Sequence, residues 1–82
     1  MNILRIDEPI RVLADFSGGS VRPLRFRWAG RTCRVEAVNG QWVDRQGDHP
    51  SMHFSVQAGD ETYLIHLASG DMQWWLDEVI AD

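Results

Sequence analysis

Five arginines fall within thirteen residues of this 82-residue chain, and their spacing is the clearest sign of binding chemistry in it. A guanidinium group grips a phosphate or carboxylate through two parallel hydrogen bonds. Residues 16–35 contain no acid, so that segment carries a charge of +5. The remaining residues carry −9, which gives the net charge of −4. The cluster consists of Arg22, Arg25, Arg27, Arg31 and Arg34. The structural alternative is cross-strand pairing with neighbouring acids, for which the candidates are Glu36, Asp44, Glu61 and Asp77.

Three histidines, His49, His53 and His66, are the candidates for a metal site. Their imidazoles could ligate zinc or nickel, with Asp48 or Asp71 as an oxygen ligand. Their spacing matches no recognised metal motif, and two opposed histidines on an exposed sheet face need no ion. We therefore expect neither a metal nor any other cofactor.

Catalytic chemistry finds little support in the remaining residues. Cys33 is the single cysteine, so no intrachain disulfide can form and a reducing compartment is favoured. Its predicted neighbours, Phe26 and Val35, indicate a buried and unreactive thiol. There is no phosphate-binding glycine loop and no nucleophile elbow, and adjacent acids at 7–8 and 77–78 would diverge in a strand. We expect a protein that is not an enzyme.

The elements that position these residues are short segments in which apolar and polar residues alternate, separated by turn residues. This pattern predicts an all-β fold, an antiparallel meander of about six short strands. A small barrel or two-layer sandwich is expected, because one flat sheet would leave its apolar face in water. Near the N-terminus the pattern predicts a strand over Ile3–Ile6, a stop at residues 7–9, and a second strand over Ile10–Phe16. The second strand should bury Ile10, Val12, Ala14 and Phe16.

The clearest hairpin joins Leu24–Trp28 to Thr32–Val38 through the dipeptide Ala29-Gly30. This register places Arg25 opposite Arg34, and both project from the same face as Arg27. The opposite, core-facing side of the hairpin consists of Leu24, Phe26, Cys33 and Val35.

Further turn signals organise the rest of the chain. Asn39-Gly40 predicts a hairpin turn leading to a short strand at 41–45, and Gly59-Asp60 predicts one that sets His53 opposite His66. Residues 72–80 fit either a terminal strand or a short helix capped by Asp71, and the preceding meander favours the strand.

Composition and length limit the class of protein. A hydrophobic fraction of 44% is that of an ordinary globular domain. A chain of 82 residues is too short to form two domains that each bury a core. The N-terminus shows no signal-peptide pattern, and no apolar run approaches the roughly eighteen residues that a membrane span needs. We expect a single domain over residues 1–82, a cytoplasmic location and no membrane partner.

The segment 22–35, RPLRFRWAGRTCRV, resembles a pattern in small bacterial domains of unknown function: proline, phenylalanine, a Trp-X-Gly turn, an aromatic, then Arg-Val. Segments at 54–56, 63–65 and 74–76 are similar to the rest of that pattern, so the resemblance covers roughly residues 20–80. Cys33 stands where the pattern has an aromatic. The chain is also similar to the tail of Y-family-polymerase-like proteins of DNA damage tolerance. The resemblance implies an all-β fold and a DNA-repair neighbourhood, with no catalytic residues attached.

Together these observations predict a small non-catalytic interaction module that binds a protein partner or a second copy of itself. Main-chain pairing and aromatic anchors would hold the partner, and Arg25, Arg27 and Arg34 would steer its acidic groups. The alternative is a nucleic-acid-binding accessory module linked to DNA repair, in which the same arginines contact phosphates.

Overall fold

In the computed structural model, which describes residues 1–81, all regular secondary structure is β-strand. The strands are β1 (Asn2–Ser17), β2 (Ser20–Trp28), β3 (Arg31–Arg34), β4 (Ala37–Asp44), β5 (Ser51–Ala58), β6 (Glu61–Ala68) and β7 (Gln73–Ala81). They form one antiparallel sheet of order β3-β2-β1-β7-β6-β5-β4, curled into a half-barrel. The all-β prediction is confirmed, with seven strands where about six were expected.

Strand β1 connects the two parts of the sheet, because its first half pairs with β7 and its second half pairs with β2. Residues 2–10 pair with β7, and residues 11–17 pair with β2. The predicted stop at residues 7–9 is therefore wrong. The pairing with β7 is irregular between Arg5 and Glu8, where Asp7 adopts a left-handed backbone with φ of 52°. Aspartate tolerates that conformation. The irregularity is therefore a bulge, and β1 continues through residues 7–9 instead of ending there.

The core lies on the inner face of the curled sheet. Strands that are not neighbours in the sheet come into contact there: the Phe26 ring of β2 packs edge-to-face on Tyr63 of β6 at 5.0 Å between centroids. Burial of these apolar side chains is the main stabilising contribution. The core comprises Ile10, Phe26, Cys33, Phe54, Val56, Ala58, Tyr63, Ile65, Leu67, Trp74, Leu76 and Val79.

The Asn39-Gly40 turn is the second incorrect prediction, because both residues lie inside β4 and β3 does not pair with β4. The chain instead crosses from one edge of the sheet to the other. Val35 N–H donates to Leu24 O at 2.9 Å, and the next amide, on Glu36, donates to Gln57 O at 2.8 Å. Pairing of β4 along the whole of β5 replaces the two-residue hairpin, and a bulge between Val38 and Gly40 accommodates Asn39.

Two residues predicted to be buried are exposed. The register of β1 with β2 shifts between Leu13 and Ala14, which makes Leu24 the extra residue of a bulge with 38% exposure. Phe16 lies at the end of β1 and is 56% exposed. Pro23, which precedes Leu24, is buried and lies at this bulge, a position at which a sheet tolerates proline.

The C-terminal segment forms strand β7, so the strand predicted for residues 72–80 is confirmed and the alternative of a short helix is wrong. Strand β7 lies in the middle of the sheet, between β1 and β6. Within residues 1–81 no helix has the length and apolar character needed to cross a membrane.

Candidate functional site

The arginine face is the first of two polar clusters on the outer surface of the sheet. The predicted hairpin register is confirmed: Arg25 lies opposite Arg34, and Arg27 lies opposite Thr32. Strand β1 adds Arg11 directly opposite Arg27, a residue that the sequence analysis left out of the cluster. The arginine face is therefore Arg11, Arg25, Arg27 and Arg34.

Like charges stand opposite each other twice on this face. Arg11 pairs with Arg27 and Arg25 with Arg34, an arrangement that is unfavourable when nothing neutralises it. None of the four arginines makes an ion pair with an acid of the described chain. A cavity of about 570 Å³ opens between these side chains, and its lining includes no acid: Arg11, Val12, Leu13, Arg25, Phe26, Arg27 and Thr32. The face is thus a cationic surface whose four arginines have no ion-pairing acid among residues 1–81.

The other predicted arginines lie elsewhere. Arg22 stands opposite Asp15 near the far end of β2. Arg31 places its guanidinium carbon 5.9 Å from the centre of the Trp28 ring, in a cation–π contact. The five predicted arginines therefore do not form one site.

Within residues 1–81, acids line a cleft at the border of the face that is formed by Arg34. Of the four predicted acidic partners, Glu36 and Glu61 share a cleft with Arg31 and Arg34, without forming ion pairs. Asp77 contacts histidines instead. The charge is therefore partly balanced at Arg34 and least balanced at Arg11, Arg25 and Arg27.

The second cluster is a ladder of four aromatic rings that crosses strands β4 to β7. Trp42 stacks on His53 at 5.5 Å, His53 on His66 at 4.8 Å, and His66 on Trp75 at 6.4 Å between centroids. Each step is a directly opposed cross-strand pair, and the predicted pairing of His53 with His66 is confirmed. The faces of the two histidine rings are covered by their neighbours, so these rings offer no open stacking platform to a nucleobase, whereas Trp42 at the end of the ladder is 47% exposed.

Asp77 completes this cluster. Both of its carboxylate oxygens accept from His66 Nδ1 at 2.8 Å, and its Oδ2 lies 3.8 Å from His53 Nδ1. Burial, followed by the neighbouring His66, lowers the pKa of His53, and Asp77 and Asp44 oppose that shift. Asp77 was missed as a histidine partner because its place two residues after Trp75, which lies opposite His66, depends on the pairing of β7 with β6.

His49 does not join the other two histidines. It lies in the loop before β5, and its ring packs against Gly70, where an added Cβ would come within 2.8 Å of ring carbon Cδ2. Asp48 and Asp71, the predicted oxygen ligands, lie around the same loop. The group in residues 1–81 with ligand atoms close enough for one ion is His53, His66 and Asp77.

Cys33 is buried, as predicted, and contacts the single tyrosine of the chain. Its Sγ lies 4.0 Å from the Tyr63 hydroxyl, within reach of a weak hydrogen bond. Burial, then the charge and hydrogen bond of Cys33, raise the pKa of Tyr63 to about 12. These are properties of a packed core, not of a nucleophile.

Comparison of the chain with protein-family models, with curated proteins and with solved structures finds no match. The two clusters on the outer face therefore have to be interpreted from their own geometry.

Proposed function

We propose that this protein is a small non-catalytic interaction module whose arginine face binds an acidic segment of a protein partner. The observation that carries the proposal is the pair of opposed arginine pairs, Arg11 with Arg27 and Arg25 with Arg34, without an ion-pairing acid in residues 1–81. A ligand that brings carboxylates to this face relieves the repulsion and gains bidentate hydrogen bonds.

The surroundings of the arginines favour a protein over a nucleic acid. Leu13 lies opposite Arg25 and is 50% exposed, so an apolar contact is available beside the cations. That mixture suits an acidic peptide with a hydrophobic residue. The net charge of −4 disfavours a long polyanion, and the rings of the ladder are stacked on each other instead of lying open beside the arginines.

The test is fluorescence anisotropy with a labelled peptide of alternating glutamate and leucine, run in a salt series beside a labelled thymidine oligonucleotide. We expect the peptide to bind and to dissociate as salt rises, because screening weakens exposed charge pairs. In the double variant Arg25→Glu/Arg27→Glu, affinity should fall roughly tenfold or more, since two attractive contacts become repulsive.

The matched control is Arg5→Glu/Arg45→Glu, which changes the net charge equally at exposed positions outside the face. It should leave peptide affinity within about twofold, because screening limits the reach of exposed charges. Equal losses in both double variants, or no peptide binding at low salt, would overturn the proposal.

Tighter binding of the oligonucleotide than of the peptide, lost in the same arginine variant, would favour the alternative of a nucleic-acid accessory module. That alternative is supported by the resemblance to damage-tolerance proteins and by the fit of guanidinium groups to phosphates. Light scattering on the ligand-free sample tests self-association, for which edge strand β4 offers Trp42 and Val43, each 47% exposed.

A further inference from the structure

We propose that His53, His66 and Asp77 form a binding site for a divalent transition-metal ion, zinc in particular, on the outer face of β5, β6 and β7. This site is separate from the arginine face and does not rest on the proposed function. It also revises the expectation from sequence that the histidines bind no ion, because the sequence placed Asp48 or Asp71, and not Asp77, beside them.

The distances in the cluster are close to those of a zinc site. Ligands about 2.0–2.2 Å from a tetrahedral zinc ion stand about 3.3–3.6 Å from one another. The two contacts of Asp77 bracket that range, at 2.8 Å to His66 Nδ1 and 3.8 Å to His53 Nδ1. One ligand atom from each residue lies within 4.8 Å of the others. At 3.8 Å from Asp77 Oδ2, His53 Nδ1 is the atom that must move towards the other ligands when an ion binds.

Neighbouring groups hold the ligands in orientations that suit an ion. Ser51 Oγ lies 2.9 Å from His53 Nε2, which leaves Nδ1 of that ring facing Asp77. Such contacts to the second ring nitrogen commonly orient metal-ligating histidines. Trp42 and Trp75 stack on the two ends of the histidine pair and limit how the rings can rotate.

The chemistry of the ligands selects the kind of ion. Two imidazoles and one carboxylate suit zinc, nickel or copper, whereas magnesium and calcium prefer sites made of oxygen alone. The side chains of the three residues retain between 19% and 25% exposure, so an ion can enter from solvent and keep water at the remaining position. When the ion binds, the proton on His66 Nδ1 moves to Nε2, the other neutral tautomer.

The test is titration of chelator-treated protein with zinc chloride, followed by calorimetry and by nitrogen-15 NMR of the imidazoles. We expect one zinc per chain, with shifts at His53 and His66 and none at His49. Magnesium chloride should give no binding. Asp77→Asn and His66→Gln should each weaken zinc binding by about tenfold or more, and His49→Gln should leave it unchanged.

The wild-type NMR titration decides the proposal even if a variant folds poorly. Zinc shifts centred on His49, or no histidine shift at neutral pH, would overturn it. Binding that survives His66→Gln in the folded protein would also overturn it. In each of these cases the ladder would be a structural stack with a histidine–aspartate hydrogen bond and would hold no ion itself.

Discussion

At the scale of single residues, Tyr63 reports on how strands β2 and β3 pack across the inner face of the sheet against β6. It belongs to β6, yet it contacts Phe26 and Trp28 of β2 and the thiol of Cys33 in β3. It is 3% exposed and is the only tyrosine in the chain. Phenolate absorbance therefore measures this one contact region without interference from a second tyrosine.

We predict that Tyr63 titrates with a pKa of about 12 in the folded protein and about 10 in denaturant. Burial raises the folded value, so the unfolded chain releases the proton first as pH increases. The contribution of Tyr63 to stability is therefore complete below pH 10 and is lost as pH rises towards 12. Absorbance titration of the phenolate, with chemical unfolding curves on either side of this range, measures both effects.

Cys33→Ala is the informative variant for this prediction. It removes the thiol whose charge and hydrogen bond add to the effect of burial, so the folded pKa should fall from about 12 while remaining above the denatured value. A native titration that coincides with the denatured one would contradict the packing described for Tyr63.

At the scale of strands, turn residues and alternation predicted the hairpins correctly wherever pairing with a distant strand did not override them. The turns at Ala29-Gly30 and Gly59-Asp60 specified two hairpins, and both registers are correct to the residue. Alternation on both strands agreed with each turn, so a one-residue slip would have exposed the core face. The same logic failed at Asn39-Gly40, where pairing with β5 outweighs the turn preference of that dipeptide.

The candidate sites show the same division between local and non-local information. Arg25, Arg27 and Arg34 were placed on one face because they share a hairpin. Arg11 was missed because its neighbour depends on the change of partner along β1, and Asp77 was missed because its nearness to the histidines depends on the pairing of β7 with β6. Alternation within one strand carries no information about strand order or about bulges in distant strands.

The turn between β2 and β3 contains a residue, Ala29, whose backbone conformation is unfavourable for its type. Ala29 has φ of 53° and Gly30 has φ of 76°, so both central residues of the turn are left-handed. Alanine pays about 1 kcal/mol or more in that region, whereas asparagine tolerates it. We predict that Ala29→Asn raises the free energy of unfolding by about 1 kcal/mol, measured by urea denaturation.

Gly30→Ala is the opposite change in the same turn. Space is not the obstacle, because nothing lies within 4 Å of an added Cβ, so the left-handed backbone alone makes this substitution destabilising. Equal stability of both variants and the parent would mean that the turn adopts another conformation in solution.

At the scale of the whole molecule, the inner face provides stability and the outer face carries both candidate sites. The described chain buries no polar or charged residue, so its core depends on apolar packing on the inner face of one curled sheet. Strand β1 links the two outer clusters, because Pro9 lies opposite Trp75 at the end of the ladder and Arg11 lies opposite Arg27. No residue of either cluster belongs to the core, so changes in either cluster can be tested without removing a core residue.

The contact that closes the half-barrel provides the last prediction. Phe26 is 1% exposed and joins β2 to β6, whereas Phe16 is 56% exposed at the end of β1. We predict that Phe26→Ala lowers the free energy of unfolding by about 3–5 kcal/mol, much of the stability of a small domain, while Phe16→Ala stays within about 0.5 kcal/mol. Urea denaturation compares the two, and Phe26→Leu supplies a milder change if the alanine variant does not fold. Similar losses at both positions would mean that β2 does not close over β6, because only that closure distinguishes the two phenylalanines.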